Sequence, residues 1–167
     1  MLFLLFQLGK DRYALEASQV VEVLPLLNFK KIPQAPPGVA GAFNYRGAPV
    51  PVIDLSELTI GNPSRQRLST RLVLVNYPLD SGGRRILGLI AEHATETVHL
   101  EPTDYLSAGV TVDEAPYLGP VAKDERGLIQ WIEVKKLLPE SMRELLFRKT
   151  VAPNLTDATD RTARGDP

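Results

Sequence analysis

The chain has 167 residues, of which 44% are hydrophobic and 23% are charged, a composition typical of a folded globular protein rather than a disordered or fibrous one. Lysine and arginine number 19 against 20 for aspartate and glutamate. The resulting net charge of −1 excludes a general binder of nucleic-acid phosphates. The absence of cysteine excludes disulfides, thiolate nucleophiles and cysteine-ligated metal centres.

The amino-terminal sequence MLFLLFQLG has no positively charged segment, and its apolar run is too short for a signal peptide. No stretch of the sequence approaches the roughly 20 apolar residues that cross a bilayer. We therefore expect a cytoplasmic protein.

Short apolar runs separated by frequent glycine and proline predict a mainly β fold. Residues 2–8 and 13–15 flank a charged turn and predict a first hairpin. Residues 16–23 predict a short helical turn that runs into a strand. Residues 71–77 and 85–90, on either side of Asp-Ser-Gly-Gly, predict a second hairpin.

Prolines mark the segment between these hairpins. Residues 50–55 have the apolar character of a strand, but Pro49 and Pro51 lack the N–H groups that a sheet ladder needs. We therefore expect this segment at a sheet edge or at a bulge.

The two halves of the chain resemble each other faintly. Each half closes with Arg-Gly and an apolar strand, at Arg46 and at Arg126. This repeat predicts two similar small barrels within one domain of residues 1–147, with a boundary near residues 66–70. Residues 139–148 predict a short C-terminal helix capped by Ser141, and the polar residues 148–167 predict a disordered tail.

No pattern of catalytic, cofactor-binding or metal-binding residues is present. His93 and His99 are too far apart on a strand to share a metal ion. The serines lie outside any Gly-x-Ser-x-Gly pattern, and no nucleotide-binding glycine motif occurs. A protein-binding module is therefore expected; a small β-barrel enzyme or ligand-binding protein with an unrecognised site is the alternative.

Two further features have plain structural explanations. The arginines at positions 65, 67, 71, 84 and 85 lack interleaved aromatic residues and are read as solvated loop charges. Trp131 lies in an apolar run and is expected in the core.

Residues 20–55 carry a denser pattern of motifs. They comprise Val-Val-Glu-Val from Val20, IPQAPPGVAG from Ile32, FNYRG from Phe43 and VPVIDL from Val50. In order and spacing these pieces resemble the CheW family of chemotaxis coupling proteins, and weaker similarity extends over about residues 1–147.

The resemblance implies two SH3-like five-stranded barrels packed side by side. It also implies a non-enzymatic adaptor, without cofactor, that links the cytoplasmic tip of a methyl-accepting chemoreceptor to the regulatory domain of a CheA-type histidine kinase. One surface would pack against the kinase domain, and a groove between the barrels would take receptor helices. The protein would be cytoplasmic and recruited to membrane-associated receptor arrays.

The matching motifs imply a set of partner-binding residues. This set comprises Val20, Glu22, Val23, Asn44, Arg46, Gly47, Ile90, Ala91 and Ala94. Glu22 is the expected ionic partner of Arg46, and Gly47 is expected to supply an unusual backbone conformation beside it. The five apolar members of the set are expected to form the floor of the groove for a receptor helix.

Several positions depart from the family pattern. Tyr45 replaces a leucine, Ala91 and Ala94 replace valines, and residues 64–71 form a charged loop. These departures lead to the hypothesis of an alternative chemosensory pathway, such as a Wsp-type surface-sensing system.

Overall fold

A computed structural model describes residues 1–106 and 115–147. In this part of the chain the fold is mainly β. The ten strands are β1 (Leu2–Leu8), β2 (Asp11–Glu16), β3 (Val20–Pro25), β4 (Val39–Tyr45), β5 (Ala48–Asp54), β6 (Arg71–Pro78), β7 (Arg84–His99), β8 (Tyr105–Leu106), β9 (Leu118–Asp124) and β10 (Gly127–Ile132). The two α-helices are α1 (Leu55–Ile60) and α2 (Glu140–Leu146).

The strands form two sheets that share β7. In the first sheet, called sheet B, the order is β3-β6-β7-β5-β4, and only β5 and β7 are parallel. In the second, sheet A, the order is β7-β1-β2-β10-β9-β8, and only β2 and β10 are parallel. The amino-terminal part of β7 pairs with β6 as far as Ala91, and the remainder pairs with β1 from Glu92 to His99.

Strand pairing does not follow the two sequence halves. Sheet A combines β1 and β2 with β8, β9 and β10, whereas sheet B takes the intervening strands β3 to β6. A division of the chain near residues 66–70 therefore does not separate the sheets. The physical reason is that β2 pairs with β10 more than a hundred residues later, a long-range contact that local repetition does not reveal.

Both predicted hairpins are confirmed, as β1–β2 and β6–β7. The predicted helical turn before β3 is also confirmed, as a 3₁₀ turn at Ala17–Gln19.

Of the two positions expected for residues 50–55, the sheet edge is wrong, because β5 lies between β4 and β7. The other, a bulge, has a counterpart in the register shift of the β4–β5 ladder between Val39 and Gly41, opposite Ile53 and Val52. Its prolines are tolerated because β7 pairs only with the three residues from Val52 to Asp54, so Pro49 and Pro51 pair with β4 alone.

Each sheet has its own apolar core. In sheet A, the ring of Phe3 packs against that of Trp131, with ring centroids 5.2 Å apart. Trp131 is half-buried and packs against the core, which confirms the prediction that it belongs there. In sheet B, Val52, Leu72 and Leu74 are fully buried.

The helices begin in different ways. Asp54 caps α1, since its carboxylate accepts hydrogen bonds from the backbone N–H groups of Ser56 and Glu57. The predicted C-terminal helix is present as α2, but Ser141 is not its cap. Pro139 occupies that position, and its carbonyl accepts from the N–H of Arg143.

Residues 1–137 form one compact unit, and α2 belongs to a second that begins at Leu138. The predicted tail at 148–167 lies outside the described residues. Among the described residues, no helix is long and apolar enough to cross a membrane.

Candidate functional site

A tight turn presents Arg46 at the end of the β4–β5 hairpin. Tyr45 pairs with Ala48, so Arg46 and Gly47 are the two turn residues. Their φ angles are 53° and 87°, and two positive φ values are typical of the type I′ turn that suits a twisted hairpin. The Gly47 N–H donates to the Asn44 side-chain oxygen at 2.8 Å. The sequence Asn-Tyr-Arg-Gly therefore folds locally into a rigid platform for one guanidinium group.

Glu22 of β3 meets this turn. Its carboxylate lies 3.5 Å from the Arg46 guanidinium and accepts a hydrogen bond of 2.8 Å from the Tyr45 hydroxyl. The guanidinium carbon also lies 5.1 Å from the centre of the Tyr45 ring. The hydrogen bond to Glu22 raises the pKa of Tyr45 above its ordinary value, as expected for a phenol that donates to a carboxylate.

This cluster of Glu22, Tyr45 and Arg46 joins the two edges of sheet B. β3 and β4 are the first and last strands of the sheet, yet their side chains touch. The sheet must therefore curl so that its edges approach each other. Arg46 is 78% exposed and Glu22 is 36% exposed in their side chains, so the pair is accessible to a partner while contributing at most about 1 kcal/mol to folding.

The outer face of β3 is apolar and exposed. Burial alternates along the strand, with Glu22 and Leu24 half-buried and Val21 and Val23 each 41% exposed. An edge strand with an exposed apolar face is a ready surface for another protein. Val23 follows Glu22 in the strand, but the alternation places its side chain on the opposite face of β3 from the Glu22 cluster.

The apolar groove floor expected from the sequence is not assembled at the surface. Ile90, Ala91 and Ala94 are 6%, 0% and 3% exposed, because β7 is an inner strand of sheet B and crosses into sheet A at this point. Val20 is half-buried opposite Val75. This corrects the expectation that the three β7 residues form an accessible floor: they lie beneath the surface.

A large groove does exist elsewhere in sheet B. It has a volume of about 710 Å³ and lies between the segment before β4, helix α1 and the loop that follows α1. Of the predicted floor residues only Ile90 borders it. Apolar side chains dominate the segment wall, including Leu26, Leu27 and Ile32.

The charged network of sheet A braces strand ends. Arg12 of β2 makes two hydrogen bonds to Asp124 of β9 and one to the Gly127 carbonyl. The Arg12 side chain holds the pKa of Asp124 below its usual range. Because Arg12 and Asp124 are hydrogen-bonded to each other, this pair stabilises the sheet rather than offering a free charge.

The described residues contain no group of three or more His, Cys, Asp or Glu side chains that could hold a metal ion. His93 and His99 are both exposed on β7.

Sequence reasoning missed two contacts. Tyr45 stands out in the sequence only as a departure from a family pattern, whereas its hydroxyl is a member of the Glu22 cluster. Arg65 lies 3.4 Å from the buried Glu92 of β7, which anchors the loop after α1. The signal for Tyr45 was its place beside a two-residue turn; the Arg65 contact has no local signal.

These features define a class of protein: a β-sheet module that presents a rigid charged turn, an exposed edge strand and a groove, all suited to binding other proteins. A family model described as the CheW-like domain matches residues 2–142, and the chain therefore belongs to the CheW-like domain family. Proteins of this family are non-catalytic scaffolds, which confirms the prediction that the chain is not an enzyme.

Curated relatives and a solved structure agree with this family. The chain is 25% identical over 138 residues to the chemotaxis protein CheW of Helicobacter pylori, covering 81% of this chain and 80% of the relative. It is 27% identical over 153 residues to the chemotaxis protein CheW of Klebsiella aerogenes, covering 90% and 87%.

The crystal structure of the scaffolding protein TtCheW from Thermoanaerobacter tengcongensis superposes with a TM-score of 0.74. It is 26% identical in sequence and covers 87% of this chain and 92% of that one. The predicted fold class, mainly β with an SH3-like, CheW-like architecture, is confirmed.

Proposed function

We propose that the protein is a coupling adaptor of a chemosensory array, which links the cytoplasmic tip of a methyl-accepting chemoreceptor to the regulatory domain of a CheA-type histidine kinase. The observation that carries the proposal is the Glu22 cluster, an accessible charged turn held against an exposed edge strand in a chain of the CheW-like family. The names of the relatives, chemotaxis proteins and a scaffold, support the same role. The adaptor would work in the cytoplasm and be recruited to receptor arrays at the membrane.

The partner-binding surface of this proposal centres on β3 and the β4–β5 turn. Arg46 and Glu22 supply charge, Val23 supplies apolar area on the other face of β3, and Asn44 with Gly47 holds the turn in shape. Val20 lies on the same strand, half-buried. Ile90, Ala91 and Ala94 would act on a receptor groove only from beneath, through packing.

The test is assembly of a ternary complex from the purified chain, a receptor cytoplasmic fragment and the kinase of the same organism. Arg46→Glu should reduce the affinity of the complex about tenfold, because it removes a positive charge from the proposed partner surface and places a second carboxylate beside Glu22. Size-exclusion chromatography with light scattering and a kinase autophosphorylation assay measure the effect. The melting temperature should change by no more than about 2 °C, since an exposed ion pair contributes little to folding.

The matched control is Arg126→Glu, which reverses another exposed arginine paired to a glutamate, Glu96, at 3.0 Å in sheet A. Equal losses in the two variants would refute the assignment of the Glu22 cluster. Failure of the unmodified chain to join both partners would refute the adaptor function itself.

The hypothesis of a Wsp-type pathway stays a prediction. Tyr45 is integrated into the Glu22 cluster, so the departure from leucine changes the chemistry of the proposed partner surface. Comparing the receptor fragments of one organism by their affinity for this chain would test whether the pathway is a specialised one.

A further inference from the structure

A single oxygen of the Glu22 carboxylate meets both neighbours in the Glu22 cluster. Oε1 accepts the 2.8 Å hydrogen bond from the Tyr45 hydroxyl, and the same Oε1 lies 3.5 Å from Nη2 of Arg46. A charged N–H group that donates to a carboxylate ordinarily approaches it to about 2.7–2.9 Å. The arginine contact is therefore a looser ion pair, and Tyr45 is the group that donates a hydrogen bond to Glu22.

A similarly exposed ion pair in sheet A has a different geometry. Nη2 of Arg126 donates a hydrogen bond to Oε2 of Glu96 at 3.0 Å, and both side chains are more than half exposed. In that pair the guanidinium itself is the donor to the carboxylate. In the Glu22 cluster a tyrosine hydroxyl has taken this role.

Packing in sheet B fixes the Tyr45 hydroxyl. The Tyr45 ring packs against the apolar core of this sheet, and its centroid lies 6.1 Å from that of Phe43. Phe43 in turn packs on Phe29, again with centroids 6.1 Å apart. Only two side-chain torsions set the position of a tyrosine ring, so these contacts also set the position of its hydroxyl.

The Arg46 guanidinium is oriented without using its N–H groups. Its central carbon lies 5.1 Å from the centre of the Tyr45 ring, a cation–π contact that needs no N–H donor. Among the described residues, none accepts a hydrogen bond from this guanidinium, and the side chain is 78% exposed. The planar N–H fork of an arginine binds a carboxylate through two parallel hydrogen bonds. This fork remains available on the surface of the protein.

We propose that Tyr45 is a positioning residue of the partner surface: its hydroxyl, rather than the Arg46 guanidinium, donates to Glu22, which leaves the N–H fork of Arg46 free to bind a carboxylate of a partner protein. Without the hydroxyl, the guanidinium is the nearest donor for Glu22 and turns toward it, so a partner carboxylate has to compete with Glu22. The identity of the partner, receptor or kinase, rests on the proposed adaptor function. The state of the guanidinium does not, because it can be observed in the free chain.

Tyr45→Phe keeps the ring and removes only the hydroxyl. NMR of the arginine side-chain nitrogens in the full chain measures rotation about the Nε–Cζ bond of Arg46, which slows when the Nη groups are hydrogen-bonded. This rotation should be at least about fivefold slower in Tyr45→Phe, the factor that a newly formed exposed ion pair supplies. Tyr117→Phe is the matched control, because it removes a tyrosine hydroxyl that is paired with Thr59 instead; it should leave the rotation unchanged. Equal rotation in the unmodified chain and in Tyr45→Phe overturns the proposal.

Binding measurements test the consequence for the partner. Calorimetric titration with the receptor cytoplasmic fragment and with the kinase, each alone, shows which of them supplies the carboxylate. Tyr45→Phe should weaken binding of that partner about fivefold, while the melting temperature changes by no more than about 2 °C. In a Glu22→Gln background the loss should fall below about twofold, because a neutral amide does not attract Arg46. An equal loss in both backgrounds contradicts a role through Glu22 and overturns the proposal.

The two measurements separate this proposal from the adaptor function. If neither partner binds the unmodified chain, the adaptor function and the partner carboxylate are both refuted, and the NMR comparison alone decides whether Tyr45 keeps Arg46 free. If both partners bind the unmodified chain and Tyr45→Phe equally well, the positioning role is refuted and the adaptor function stands.

Discussion

Asp54→Ala should be one of the most damaging single substitutions of a polar residue in the chain. The side chain is buried, caps α1 and holds Ser64 of the following loop. Loss of the cap costs about 1 kcal/mol. Loss of two hydrogen bonds from Ser64 to a charged acceptor adds about 2 to 3 kcal/mol. The free energy of unfolding should therefore fall by roughly 3 to 4 kcal/mol, a large part of the stability of an ordinary domain.

Urea denaturation followed by circular dichroism measures this loss of unfolding free energy. In a thermal melt the same loss should lower the melting temperature by about 10 to 15 °C. Asp104→Ala is the matched control, because Asp104 is an exposed aspartate that accepts one backbone hydrogen bond, from Glu101; it should cost less than about 1 kcal/mol. Ser64→Ala and the double variant complete a thermodynamic cycle, whose coupling energy should reach at least about 1 kcal/mol. A loss below about 1 kcal/mol for Asp54→Ala, or strictly additive effects in the cycle, would refute the reasoning.

Three other outcomes follow from the same structure. The pKa of Asp124 in the folded protein lies below its ordinary value of 3.8, so its pairing with Arg12 stabilises the protein above that pH, and this stabilisation is lost as pH falls through the folded pKa. Urea titrations from pH 3 to 7 should show Asp124→Asn less stable than the unmodified protein by roughly 1 kcal/mol near neutrality. This difference should shrink below about pH 4. Gly47→Ala should cost only about 1 kcal/mol, since its φ is positive but its surroundings are open, whereas Gly41→Ala places a Cβ 2.4 Å from a backbone oxygen and should prevent normal folding of the β4–β5 hairpin, as amide exchange would reveal. Trp131→Ala should cost about 3 kcal/mol by thermal denaturation, and Trp131→Phe no more than about half of that, because the phenyl ring preserves much of the packing on Phe3; equal losses would contradict the packing argument.

Local features of this protein were accessible from its sequence. The hairpins at β1–β2 and β6–β7 follow from apolar runs around turn residues, and such pairings form between neighbours in the chain. An unusual backbone conformation at Gly47 was also expected, and its φ of 87° agrees with that, because a positive φ is a local requirement of the turn. The pairing of Glu22 with Arg46 was predicted from motif resemblance, and the 3.5 Å contact confirms their proximity.

Long-range relationships were decided by the tertiary structure. The sequence predicted a strand only over residues 85–90, whereas β7 continues for sixteen residues. Its partners, β6 and β5 at one end and β1 at the other, divide it between two sheets. For the same reason Ala91 and Ala94 are buried, although the family resemblance implied that they form the floor of a groove for a receptor helix. The loop that follows α1 likewise depends on distant contacts, because Arg65 is placed by Glu92 and Ser64 by Asp54. Sequence patterns indicate how a segment folds with its neighbours in the chain. Burial and surface charge depend on which distant segments pack together, and these contacts are determined only when the whole chain folds around its core.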